Sequence, residues 1–264
     1  MLERALATVD PDDAATHAML LRALATWKLS YGDLAESEQD ARAALALAER
    51  AGSLEERSNT TRTLGHIALS AGDLDGSVRY LTVARDLAHA GTDLGLQSIA
   101  EGDLGVALHI RADRTGQAED YVAAIGHYER DIAVREQLGE RRGLATTRVN
   151  LAQVYLRIGD TGRARTMIRE GIADATRTTL ISDLMMTLVV EADRRLLEGD
   201  IDGGLELLGV VASHPACTRN DREEIARILS RTSLDEANVD AGMARGAGLD
   251  IDELAAQVLA DPQP

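Results

Sequence analysis

"TLGHIALSAGDLDGSVRYLTVA", residues 63–84, holds two helical patterns back to back. Leu64, Ile67 and Ala68 share one face before the Gly72-Asp73 pair, and Leu74, Val78, Leu81 and Ala84 recur at helical spacing after it. Glycine stops a helix at little cost because it takes the left-handed conformation freely. Aspartate caps the next one, its carboxylate meeting the exposed amides and the positive end of the dipole. The stretch therefore predicts a helix over 54–70, a tight turn, and a helix over 74–90.

The same punctuation returns along the chain. Gly-Asp occurs at Gly32, Gly72, Gly159 and Gly199, with first and last intervals of 40 residues and a middle interval of 87. A further unit fits in the middle: "GDLGVALHI" (102–110) parallels "RTLGHIALS" (62–70), and "YVAAIGHYERDIAVREQLG" (121–139) supplies its second helix. The surplus is "ADRTGQA" (112–118), which reads as a polar loop. A second glycine, at 52, 91 and 139, closes the units, and small residues (Ala25, Gly65, Gly105, Ala152) recur seven before the turn glycine or its equivalent, where paired helices must approach closely. A fixed period of this size predicts a solenoid of stacked helix pairs.

The pattern resembles the tetratricopeptide repeat. "NLAQVYLRIGDTGRAR" (150–165) carries it best, through Leu151, Ala152, Tyr155, Gly159 and Ala164. Ser37 and Ser77 depart from it where the second helix normally has Ala, the terminal Pro is missing, the period exceeds 34, and Glu191 stands where the fifth unit should have Leu. The resemblance implies an all-α, right-handed TPR-like solenoid of about five helix-turn-helix units over residues 1–213. Residues 214–264 then form capping helices and a short disordered tail. "LELLGVVASHPACTRNDREEIARILS" (205–230) and "VDAGMARGAGLDIDELAAQVLA" (239–260) resemble the end of the repeat region in bacterial STAND-type ATPases and LuxR-like transcriptional regulators. That implies a sensor part, or a stand-alone relative, whose partners include an ATPase or DNA-binding module. The sequence contains no G-x-x-x-x-G-K-[ST] phosphate loop and no basic helix-turn-helix.

Bulk chemistry narrows the function. The 264 residues carry a formal net charge of −16, and a surface this acidic repels nucleic acid and anionic membranes. No apolar run reaches the roughly 18 residues of a membrane span, no signal-peptide core opens the chain, and Cys217 is the lone cysteine, so a cytoplasmic location is expected. Aromatics make up 2% of the chain with no Phe, so the core must be Leu, Ala, Val and Ile. The six histidines form no H-E-x-x-H motif and no pairing with Cys at metal spacing, and no G-x-S-x-G occurs. Neither an enzyme, a metal nor a cofactor is expected.

In such arrays the first helices line a concave groove for an extended peptide or an amphipathic helix. Registered on the turn glycine, the inward positions include Met19, Arg22, Thr26, Leu29, Asn59, Arg62, His66, Leu69, Ile99, Val106, His109, Thr146, Val149, Asn150, Gln153, Leu156, Met186, Val189 and Asp193. Their polar members are the candidate ligand contacts: Arg22, Thr26, Asn59, Arg62, His66, His109, Thr146, Asn150, Gln153 and Asp193. Arg22 and Arg62 occupy the same slot one repeat apart and suit a carboxylate. Asn and Gln amides can pair with a peptide backbone. A protein or peptide with an acidic end is the expected ligand. The alternatives are an adaptor or self-assembling scaffold working through exposed apolar surface, and a small-ligand sensor. "LISDLMMTLVV" (180–190) is the most apolar stretch, either such a contact or a segment buried between the last two units.

Overall fold

A computed structural model describes residues 2–6, 8–10, 12–141, 143–178 and 180–261. Among them the regular structure is entirely helical. The helices are α1 (Leu2–Leu6), α2 (Ala14–Ser30), α3 (Leu34–Ala51), α4 (Leu54–Ser70), α5 (Leu74–Ala90), α6 (Leu94–Thr115) and α7 (Ala118–Leu138), followed by α8 (Leu144–Arg157), α9 (Thr161–Thr178), α10 (Ile181–Glu198), α11 (Ile201–Ser213), α12 (Arg219–Leu229), α13 (Glu236–Gly246) and α14 (Ile251–Ala260). The helices expected over 54–70 and 74–90 are α4 and α5. The chain divides into two compact units, residues 1–134 and 135–264.

The turn chemistry follows the sequence. Gly32, Gly72, Gly159 and Gly199 all have φ between +80° and +89°, where a side chain would be strained. The next residue caps the following helix: Asp33, Asp73 and Asp200 accept hydrogen bonds from the amides of Glu36, Gly76 and Gly203, and Asp160 accepts one from Arg163. The interrupted unit differs from expectation. Residues 112–115 continue α6, which runs for 22 residues against 17 in α4, and the break comes only at Gly116, with φ +74°. Ala-Asp-Arg-Thr contains no helix breaker, so the surplus residues lengthen the helix instead of looping out.

Within residues 1–134, α2 pairs with α3 and α4 with α5, while α4 also packs on α3, and α6 on α5. Alanines do much of this packing: Ala41, Ala44 and Ala48 of α3 are fully buried, and Ala25, Ala41, Leu64 and Ile67 form one core cluster with Leu29, Leu45 and Tyr80 against it. Ser37 is buried too, and its hydroxyl donates to the carbonyl of Ala25 on α2 at 2.7 Å, which explains how a polar residue replaces the usual Ala. Ser58 does the same to Ala84, at 2.8 Å. Gly65 faces Leu81 so closely that a Cβ would lie 2.6 Å from the leucine Cγ, and Gly105 faces the buried ring of Tyr128.

Within residues 135–264, α8 pairs with α9 and α10 with α11. Leu184, Met185, Leu188, Val189 and Val190 are all buried, so the apolar stretch is core from residue 184 on apart from the half-buried Met186, while Leu180 at its start is exposed. Residues 214–261 add three helices to this unit. α13 lies on α11, α12 touches α10 and α11, and α14 rests on α9 and α11. At the α11–α13 crossing backbone lies directly on backbone: Gly209 faces the Met243 carbonyl, and Gly246 faces the Glu206 carbonyl. The expected tail residues 262–264 lie outside the described residues.

Candidate functional site

The first-helix face of residues 1–134 is formed by α2, α4 and α6. Its polar residues are largely tied to one another. Arg22 Nε donates to Glu56 on α4 at 2.6 Å. Asp103 on α6 receives both Arg62 Nη1, at 3.3 Å, and His66 Nε2, at 3.0 Å. The two arginines expected to hold a ligand carboxylate therefore each hold a carboxylate of the next first helix. Of the remaining candidates, the Thr26 hydroxyl donates back to the Arg22 carbonyl of its own helix at 3.0 Å. His109 is buried, 3.8 Å from Asp113 and facing the Tyr121 ring, and does not project into a groove. Asn59 is half-buried beside Arg62 and His66. Glu56 and Asp103 are the residues that sequence reasoning missed, because an acid on a helix face carries no sign of the helix it will bond.

Behind this face, at the junction of α5, α6 and α7, the buried Glu101 carboxylate gathers His127 Nδ1 at 2.6 Å, His89 Nε2 at 2.8 Å and Arg130 Nε at 2.9 Å. Burial pushes its carboxyl up, but the hydrogen bonds from His127, Arg130 and His89 together outweigh it and lower it to about 2. Charge joining elements in this way is a structural use of ionisable groups. Among the described residues no group of three or more His, Cys, Asp or Glu is arranged to hold a metal ion.

The first-helix face of residues 135–264, formed by α8 and α10, has a different chemistry. Thr146, Asn150 and Gln153 are half-buried on α8. The Asn150 and Gln153 carboxamides make no hydrogen bond to another described residue, and they line a cavity of about 230 Å³ with Met186, Val189 and Val190 of α10. The third wall comes from α12, through Asn220, Asp221 and Glu224. Farther along α10, Asp193 is buried and its carboxylate takes Arg231 Nη2 at 3.0 Å.

Four positions expected to point inward are instead packed. Val149, Leu156, Val189 and Asp193 are at most 8% exposed. α8 and α10 contact each other as well as their own partners, so most of their residues are buried and the open strip narrows to Thr146, Asn150, Gln153 and Met186. The Thr218–Asp221 capping box that begins α12 is visible in sequence. Where that helix docks is not.

Among the described residues no helix is long and apolar enough to cross a membrane. No protein-family profile matches the chain. No curated protein matches it in sequence. Solved structures do resemble it. Aspartyl phosphate phosphatase F from Bacillus subtilis is 15% identical with a TM-score of 0.69, over 97% of this chain and 62% of that one. BtubC from P. vanneervenii is 18% identical with a TM-score of 0.63, over 89% and 91%. The TPR-like repeats of a putative kinesin light chain from P. anserina are 13% identical with a TM-score of 0.59, over 85% and 100%. At such identities the likeness speaks for the fold, and the fold is an all-α array of TPR-like helix pairs.

Proposed function

We propose that this chain is a non-enzymatic module that binds a protein or peptide segment on the first-helix face of α8 and α10. The observation that carries this reading is the pair of unengaged carboxamides, Asn150 and Gln153, on the wall of a cavity with an apolar floor. A carboxamide offers donor and acceptor together and so matches a peptide unit, while the half-buried Met186, backed by the packed Val189 and Val190, offers apolar area for a side chain. On the opposite wall Glu224 is already paired with Arg227, while the Asp221 carboxylate, held by the neutral amide and hydroxyl of Thr218, disfavours a ligand with an acidic end. The sequence resemblance to STAND and LuxR-like regulators extends the reading: the module acts as the sensor of a bacterial regulator, with an ATPase or DNA-binding module as its effector.

A peptide array probed with wild type and with Asn150→Ala/Gln153→Ala tests the assignment. Peptides held by wild type and released by the double variant, at unchanged melting temperature, support it. Peptides held equally by both place the ligand elsewhere.

One observation favours the adaptor reading as an alternative. Trp27 on α2 and Tyr31, which caps its C-terminus, are 53% and 74% exposed, with ring centroids 4.7 Å apart. Exposed aromatic pairs are frequent anchors of protein interfaces. Capture of a protein partner that is lost with Trp27→Ala but kept with Asn150→Ala/Gln153→Ala would favour it.

A further inference from the structure

One helix already sits on the candidate face. α12 lies against α10 and α11, and its first turn forms one wall of the Asn150–Gln153 cavity. Its attachment is slight. Only Ile225 and Ile228 are buried, and most of its charged surface is exposed, with Arg219–Glu223 and Arg227–Glu224 paired within the helix itself. It does not fill its seat either: the cavity of about 230 Å³ lies on one side, and a second of about 270 Å³, lined by Asp193, Leu196 and Leu197 of α10 and by Ile228, Arg231 and Leu234, lies on the other. α13 is held differently, with its glycine backbone pressed onto the α11 backbone at Gly209 and Gly246. α12 can therefore leave while α11 and α13 stay together.

We propose that the first-helix face of α8 and α10 docks an amphipathic helix of a partner protein, and that α12 is the resident helix which this partner displaces. The proposal rests on the peptide-binding reading above and gives its ligand a conformation and a pattern. The seat takes two branched apolar residues three apart, as in Ile225 and Ile228, which is the spacing of one helical face. Asp193 then demands a cation about one further turn on, the place that Arg231 fills now. A basic helix also suits the formal charge of −16 on this chain, which speeds its encounter with a cationic partner.

The probe is a fluorescent synthetic peptide of residues 218–232, titrated by anisotropy into full-length protein. A tethered helix competes at high effective concentration, so wild type should bind the peptide poorly. Ile225→Ser/Ile228→Ser in the protein loosens the resident helix and should tighten binding by about tenfold or more. Arg231→Glu in the protein changes an exposed residue, leaves the core intact, and should act in the same direction. A peptide carrying Arg231→Glu should bind the loosened protein about tenfold more weakly, and Asp193→Lys in the protein should reverse that preference. If the wild-type peptide binds all folded forms equally, or binds neither variant, the proposal is overturned. Array peptides that need Asn150 and Gln153 yet ignore the loosening of α12 would overturn it while leaving the peptide-binding reading intact. No array peptide and no 218–232 peptide bound would overturn both.

Discussion

The two first-helix faces of this protein start from one repeat pattern and end with opposite chemistry. On α2, α4 and α6 the polar residues are spent on one another: Arg22 on Glu56, and Arg62 and His66 on Asp103. On α8 and α10 the amides of Asn150 and Gln153 are unspent, beside a shallowly seated helix. A polar stripe is thus a stitch between repeats where its charges find complements on the next helix, and, in the function proposed above, a recognition surface where neutral groups are left over. Arginine is the residue most easily misread, because the fork that grips a ligand carboxylate grips a neighbour's equally well.

The largest effect that bears on this contrast should come from Gly246→Leu. A side chain there meets the Glu206 backbone of α11, which cannot give way as a side chain does, so residues 135–264 should lose more than about 3 kcal/mol. A two-step denaturant melt in which only one step moves would show that the two units are stabilised separately; a single shifted transition would show them coupled. Gly65→Leu should cost residues 1–134 about 3 kcal/mol by colliding with buried Leu81. An unchanged melting temperature for that variant would refute the close α4–α5 approach.

The third effect is acid sensitivity. The Glu101 carboxyl is lowered from 4.5 to about 2 in the folded chain, so the folded state binds its proton less readily than the unfolded state. Its stabilisation is complete above about pH 4.5 and is lost as pH falls toward 2, a change on the order of 2 kcal/mol. Urea midpoints should therefore fall more steeply between pH 5 and 3 in wild type than in Glu101→Gln, and parallel slopes would contradict the junction. The smallest effect is also the sharpest. Arg22→Ala and Arg62→Ala should each cost about 1 kcal/mol of stability and leave peptide affinity unchanged. Asn150→Ala/Gln153→Ala should do the reverse, and a swapped outcome would invert the comparison.

The sequence by itself determined the helices and their turns. A Gly-Asp pair fixes a left-handed residue and an N-cap within a few bonds, whatever lies beyond, and α4 and α5 begin and end where residues 53–91 place them. Periodicity marked the buried Leu64 and Leu81 and the close approach at Gly65, since each follows from one helix meeting its immediate partner. The surplus in the third unit reads as a loop but is helix over residues 112–115, because a polar, breaker-free run extends a helix as readily as it leaves one. Only the tertiary structure decided what the first-helix faces present. Arg22 meets Glu56 at a separation of 34 residues, Asp193 meets Arg231 at 38, and α12 settles on α10 and α11 with two isoleucines buried. Such pairings depend on the stacking of one repeat on the next, and local sequence carries the type of each charge but not the address of its partner.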